Sequence, residues 1–207
     1  MGNGGDLFPF CLLEWRFMMK SYPMTIAGLR RDLPICPVNE NLSIGAFVIF
    51  GDPELTTAAA EALLKIAPAY DYIITAEAKG IPLAHEMARL AGNQKYFIAR
   101  KKAKAYMQGV FKVTVQSITT AGEQELFLDK TDAELMCGKR ILLVDDVIST
   151  GESLRAVEEL VKAAGGIIAG KMAILAEGDA QTREDIIYLE KLPLFNPDGT
   201  VMDGSLF

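Results

Sequence analysis

The residues best suited to chemistry lie in one run, Val144-Asp145-Asp146-Val147-Ile148-Ser149-Thr150-Gly151-Glu152-Ser153. Two adjacent carboxylates, Asp145 and Asp146, follow an apolar stretch, Arg140 to Val144, that reads as a strand. In open α/β sheets, ligands sit at the carboxyl ends of the strands. Beyond the acids come Ser149, Thr150, Gly151 and Ser153, with Glu152 among them. Small residues let backbone N–H groups approach an anion, and hydroxyls add donors. A helix starting near Glu152 to Leu154 would turn its positive end on the same point. The pattern is a cradle for a phosphate. Carboxylates gain nothing by facing that phosphate; sugar hydroxyls are their natural donors, and a phosphorylated ribose satisfies both halves of the run. The spacing is not that of a Walker P-loop, which argues against a nucleoside triphosphatase.

The elements that must hold this run can be read around it. Near-continuous Ile, Leu and Val in Arg140 to Val144 suit the centre of a parallel sheet. Leu154 to Ala164 is expected to be a helix with Leu154, Val157, Leu160 and Val161 inward, closed by Gly165-Gly166, and Ile167 to Leu175 the next strand. Upstream, Ser43 to Phe50 is apolar and extended. Asp52 caps a helix with Pro53 in its first turn, running to Ile66 and stopping near Pro68. Tyr72 to Ala76 is a short buried strand, Pro82 to Ala91 a helix ended by Gly92, and Lys95 to Arg100 a further strand. Phe111 to Ile118 alternates apolar and polar, Thr119 to Gln124 is turn-like and Glu125 to Leu128 returns, which describes a hairpin arm. Repeated strand–helix–strand units predict an α/β fold with a mostly parallel central sheet flanked by helices.

With these residues in place, Val144 to Ser153 resembles the signature of the type I phosphoribosyltransferases: strand, two acids, then Ser/Ala-Thr-Gly. The resemblance implies phosphoribosyl pyrophosphate as substrate. Its 5-phosphate would lie on Ser149, Thr150, Gly151, Glu152 and Ser153, and its ribose hydroxyls on Asp145 and Asp146, which are therefore the expected catalytic residues. Glu77-Ala78-Lys79-Gly80, after the strand Tyr72 to Thr75, looks like the pyrophosphate loop of the purine branch, with Lys79 where an arginine is usual; lysine keeps the charge and loses the bidentate fork. Ile98 to Lys104 resembles the basic stretch of adenine enzymes, and Arg100, Lys101 and Lys104 are expected on the pyrophosphate. Gly28 to Leu33 is similar to a segment near the base pocket, one residue shorter, which makes Leu29 and Arg31 base-side candidates. The family likeness also implies a small hood, a flexible hairpin lid spanning Gln108 to Leu128, a homodimer, and Mg²⁺ held mainly by substrate oxygens and water. The strand after the signature helix leads into Leu175-Ala176-Glu177-Gly178-Asp179, with no lysine to donate to a 6-oxo group. Ala176 and Glu177 are thus placed at the base, and an acceptor favours the amino group of adenine. Against this, the expected lid tip carries Thr119-Thr120 rather than the Glu-Tyr pair of adenine enzymes, and its Ser117-Ile118-Thr119 is closer to the xanthine enzymes. Xanthine or hypoxanthine/guanine enzymes are the alternatives, as is a non-catalytic sensor like the purine operon repressors, to which Ala78 to Ala84 is similar. Orotate or uracil enzymes fit the basic motifs less well.

Composition narrows the rest. The chain has 207 residues, half of them hydrophobic, and a net charge of -6, which suits a globular protein and argues against grip on nucleic acid through its phosphates. Cys11, Cys36 and Cys137 lack metal-ligand spacing and read as incidental thiols of a reducing, cytoplasmic compartment. His85, the single histidine, reads as structural or exposed. No segment is apolar for long enough to span a bilayer. Leu7 to Trp15 is interrupted by Pro9 and Glu14 and makes a poor signal peptide. Residues 1–20 are expected to be an N-terminal extension, with Met18 or Met19 the natural start, ahead of a single domain over 21–207.

Overall fold

The computed structural model describes residues 20–116 and 123–205. The expectations for the N-terminal extension, for Cys11 and for the hairpin tip with Thr119-Thr120 lie outside the described residues.

The chain opens with β1 (Ser21–Ile26) and β2 (Leu29–Asn39), an antiparallel pair joined by Ala27 and Gly28, both at positive φ as a tight hairpin turn requires. With β3 (Leu42–Gly45) and, from the far end of the chain, β11 (Leu194–Phe195), they form a four-stranded hood. The two long hood strands were not anticipated from the sequence. Pro23, Pro34 and Pro37 break the usual strand signal, and a sheet with open edges tolerates them.

Helix α1 (Pro53–Ile66) begins as its residues dictate: the Asp52 carboxylate accepts the Leu55 N–H at 3.0 Å, with Pro53 in the first turn. Strand β4 (Tyr72–Ala76), α2 (Ile81–Leu90) and β5 (Tyr96–Ala99) follow within a residue or so of expectation. The antiparallel hairpin β6 (Val110–Gln116) and β7 (Glu123–Asp129) leads into α3 (Lys130–Met136), a short helix not anticipated. Then come β8 (Arg140–Ile148), α4 (Glu152–Ala163), β9 (Ile167–Glu177), a 3-10 turn at Gly178–Thr182 and β10 (Ile187–Leu192).

Strands β10, β9, β8, β4 and β5, in that order, make an all-parallel sheet. The fold is α/β, as expected. Alternation along the strands divides the core in two. Ile73, Leu142, Val144, Met172 and Ile174 pack with Leu55 and Leu63 of α1 and Leu83 and Met87 of α2. Ile74, Ile141, Leu143 and Ala173 pack with Leu154, Val157, Leu160 and Val161 of α4 and with Leu126 and Leu128 of the hairpin. The inward face read for α4 is therefore the observed one. Each fully buried Leu or Ile contributes about 1.5–3 kcal/mol, so these layers hold the sheet's carboxyl edge in place.

One strand boundary differs from expectation. Strand β8 does not end at Val144; it stays paired with β9 as far as Ile148 opposite Ala176, and so carries both aspartates inside the strand. Val147 and Ile148 are apolar and extend the ladder beyond the acids.

Candidate functional site

Four segments meet at the carboxyl edge of the parallel sheet, because each follows or ends one of its strands: Glu77–Gly80 after β4, Arg100–Lys104 after β5, Asp145–Ser153 on and after β8, and Glu177 at the end of β9.

Successive side chains of a strand face opposite ways, so adjacent Asp145 and Asp146 have different surroundings. The Asp146 side chain is 3% exposed and receives the ammonium of Lys79 at 2.7 Å. Asp145 accepts the Asp146 N–H at 2.9 Å. Burial first, and then the neighbouring Asp146 charge, push the Asp145 carboxyl up to about 7. Its residue surface stays partly open while the carboxyl itself is packed round. Gly80 allows that packing: a Cβ there would lie 2.2 Å from Thr75 Oγ1 and 3.0 Å from Asp145 Oδ1, so any side chain would displace the loop or the acid.

The loop Ser149–Gly151 leads into α4, where Gly151 takes a left-handed φ of 77° that glycine adopts without strain. Ser149, Thr150, Gly151, Glu152 and Ser153 line a small recess with Asp145 at its side, and the first N–H groups of α4 open there. The structure thus brings these five residues together with Asp145, while Asp146 is turned to Lys79.

The basic stretch reaches the same edge through Glu77. Its carboxylate accepts from Arg100 Nη1 at 3.1 Å and from the Lys101 N–H at 3.3 Å, with Lys104 Nζ at 3.6 Å. Burial works to raise the Glu77 carboxyl, but these bonds and charges outweigh it and hold it below the usual range. Glu77 therefore faces cations of its own chain and braces them. Arg100 also exchanges two backbone bonds with Phe127, 2.9 and 2.8 Å, which tie the basic stretch to the hairpin. Ala78 sits between Glu77 and Lys79, in the loop whose Glu77–Ala78 peptide is cis.

Of the residues expected at the base, Glu177 ends β9 opposite Leu192, half-buried; burial raises its carboxyl and the charge of Lys79 opposes the rise. Ala176 is fully buried, its side chain in the core. Leu29 and Arg31 lie on the hood strand β2. The Arg31 guanidinium is engaged by Asp52 at 2.6 Å and Glu54 at 2.8 Å at the start of α1. Its described bonds join the hood to the start of that helix, which lies beside Pro82 and His85 of α2. Arg183, which the sequence did not single out, approaches the cradle: its Nη1 would lie 2.3 Å from a Cβ on Gly151. No local pattern marks it, since the contact is made by a turn far along the chain.

A phosphate cradle, two acids and a cationic wall on one edge of a parallel sheet define a phosphoribosyl-binding class of protein. In line with this, a family model described as "Phosphoribosyl transferase domain" matches residues 53–193, and the chain belongs to that family, in its type I purine branch. The chain is 30% identical over 135 residues to the hypoxanthine/guanine phosphoribosyltransferase of Methanococcus voltae, a stretch covering 65% of this chain and 68% of that protein. Among solved structures, adenine phosphoribosyltransferase of Thermoanaerobacter pseudethanolicus superposes with a TM-score of 0.56 at 21% identity, covering 87% of this chain and 99% of the other. The adenine phosphoribosyl transferase of Trypanosoma brucei, solved with AMP, pyrophosphate and ribose-5-phosphate, gives 0.56 at 18% identity over 97% and 86% of the two chains.

Proposed function

We propose that the protein transfers the 5-phosphoribosyl group from phosphoribosyl pyrophosphate to a ring nitrogen of a purine base, releasing pyrophosphate. The observation that carries this is the convergence of cradle, acids and cations on one sheet edge. The 5-phosphate lies on Ser149–Ser153 under the N–H groups of α4. Asp145 and Asp146 accept from the ribose 2- and 3-hydroxyls, fixing C1. Lys79, Arg100, Lys101 and Lys104 face the pyrophosphate, and with the loop N–H groups they stabilise the charge that grows on it as the C1–O bond breaks and the C1–N bond forms. Glu77 holds that wall in shape. The hairpin β6–β7, fastened to Arg100, serves as the lid that keeps water from the developing oxocarbenium centre.

Mg²⁺ belongs to the same proposal. Among the described residues no group of three or more His, Cys, Asp and Glu converges. An ion at this edge would rest on Asp145 or Asp146 for a minority of its ligands and take the rest from diphosphate and water, as Mg²⁺ commonly does. When bound it would neutralise charge on the leaving group. We place the protein as a homodimer in the cytoplasm; among the described residues no helix is long and apolar enough to cross a membrane.

Adenine is the proposed base, on the strength of Glu177, an acceptor at the end of β9, where the run Leu175 to Asp179 itself brings no lysine. The second reading, hypoxanthine or guanine, is favoured by the activity named for the Methanococcus relative. Assay with phosphoribosyl pyrophosphate, Mg²⁺ and adenine, hypoxanthine, guanine or xanthine in turn distinguishes them. Turnover of adenine at least tenfold above the oxopurines is expected; preference for an oxopurine overturns the adenine assignment. Binding without turnover of any base would instead make the protein a sensor.

A further inference from the structure

The run that receives the 5-phosphate is poor in positive charge. From Val144 to Leu154 there is no lysine or arginine, and Arg155, the next residue, is exposed and lies outside the recess, while Asp145, Asp146 and Glu152 bring three carboxylates. A phosphate monoester carries close to two negative charges near neutral pH, and the helix end supplies only about half a positive charge. A cation from elsewhere in the fold would correct this balance, and one is at hand.

Arg183 follows the 3-10 turn Gly178–Thr182 and reaches back to the loop. Its Nε and Nη2 are held by Asp185 at 2.9 and 2.8 Å. Asp185 also accepts from Lys171 at 2.6 Å, and Lys171 donates to Glu158 of α4 at 2.9 Å. This chain of ion pairs ties the guanidinium to the flank of α4 and leaves Nη1 directed at Gly151. The side chain is only 30% exposed, so its charge is screened less than that of a free surface arginine. A Cβ on Gly151 would stand 2.3 Å from Nη1, so the guanidinium end lies directly against the loop.

We propose that Arg183 is a positioning and charge-balancing residue for the substrate, a cation lodged against Gly151 outside the recess that stabilises the 5-phosphate in its cradle from behind the loop. Asp185 pairs with its Nε and Nη2 and is not itself part of the cradle. This rests on the phosphoribosyl reading of the cradle, and the test separates the two.

Binding of phosphoribosyl pyrophosphate, ribose 5-phosphate and inorganic pyrophosphate is measured by calorimetry on the full chain, wild type against Arg183→Gln, Arg183→Lys and Asp185→Asn, each checked by thermal unfolding. A charge at this range in a partly screened site predicts roughly a fivefold effect. Arg183→Gln should weaken both 5-phosphate ligands by about that factor and leave inorganic pyrophosphate unchanged, with a flatter dependence on salt. Arg183→Lys should restore most of the affinity. Asp185→Asn, which keeps the cation, should bind ribose 5-phosphate no more than about twofold more weakly than wild type. If Arg183→Gln binds like wild type, or weakens pyrophosphate as much as ribose 5-phosphate, the inference falls while the cradle stands. Equal losses in Arg183→Gln and Asp185→Asn would make the pair a scaffold, and also sink it. If the wild type binds neither 5-phosphate ligand, the reading of the cradle fails, and this one with it.

Discussion

At the residue scale, the pairing of Lys79 with Asp146 has a consequence of opposite sign for two ligands. In the proposed reaction Lys79 faces the pyrophosphate, yet it pairs with the Asp146 carboxylate that is proposed to hold the ribose. Lys79→Met should weaken phosphoribosyl pyrophosphate by about tenfold, the cost of one charge-assisted contact, and leave ribose 5-phosphate equal or tighter; parallel titrations read both. Asp145 gives a pH signature. Its folded-state value, about 7, lies above the ordinary 3.8. The neutral form is therefore favoured by folding, and the associated stability is full below about 4 and lost as pH rises through about 7. Urea unfolding at pH 5 and pH 8 should show a larger drop for wild type than for Asp145→Asn. Because the charged form is the better acceptor for ribose hydroxyls, affinity for phosphoribosyl pyrophosphate should rise over the same interval. A flat profile would remove Asp145 from that role.

At the element scale, the site depends on how tightly loops press on strand ends. Gly80→Ala drives a methyl into Thr75 and the Asp145 carboxyl. It should reduce affinity for phosphoribosyl pyrophosphate by about tenfold, read by titration, with thermal unfolding recorded alongside because Gly80 is itself buried. Helix α4 is positioned by its buried face rather than by its cap, since Gly151 offers no side-chain cap. Leu160→Ala, at a fully buried position, should cost about 2–5 kcal/mol of stability in denaturant unfolding. Helix α4 was legible in advance because apolar residues recur at helical spacing and Gly165-Gly166 closes it. The extension of β8 past Val144 was not, because adjacent carboxylates read as the end of a strand. Pairing with β9 overrides that local signal.

At the scale of the whole molecule, the hood is completed by the end of the chain. Phe195 is fully buried and meets the ring of Tyr22 at 5.2 Å. Gln181 donates to Leu192 and Ser205 carbonyls at 2.9 and 2.8 Å, fastening the same region to the 3-10 turn. Phe195→Ala should destabilise the protein by about 3–5 kcal/mol. It should also lower affinity for the base more than for ribose 5-phosphate, because hood and base side share this packing and the cradle does not. Equal losses for both ligands would disconnect the hood from the base.

The sequence by itself determined the class of site. Asp145, Asp146 and the Ser149–Ser153 loop are contiguous, so their chemistry and order could be read without coordinates, as could the parallel α/β core from its Ile, Leu and Val runs. The tertiary structure decided which partners these groups have. Lys79 on Asp146, Glu77 under Arg100 and Lys104, Arg31 on Asp52 and Arg183 behind Gly151 all join residues far apart in the chain. Local sequence carries propensity and periodicity, but electrostatic partnership depends on distance and burial. Those exist only once the sheet has brought its strand ends to one edge.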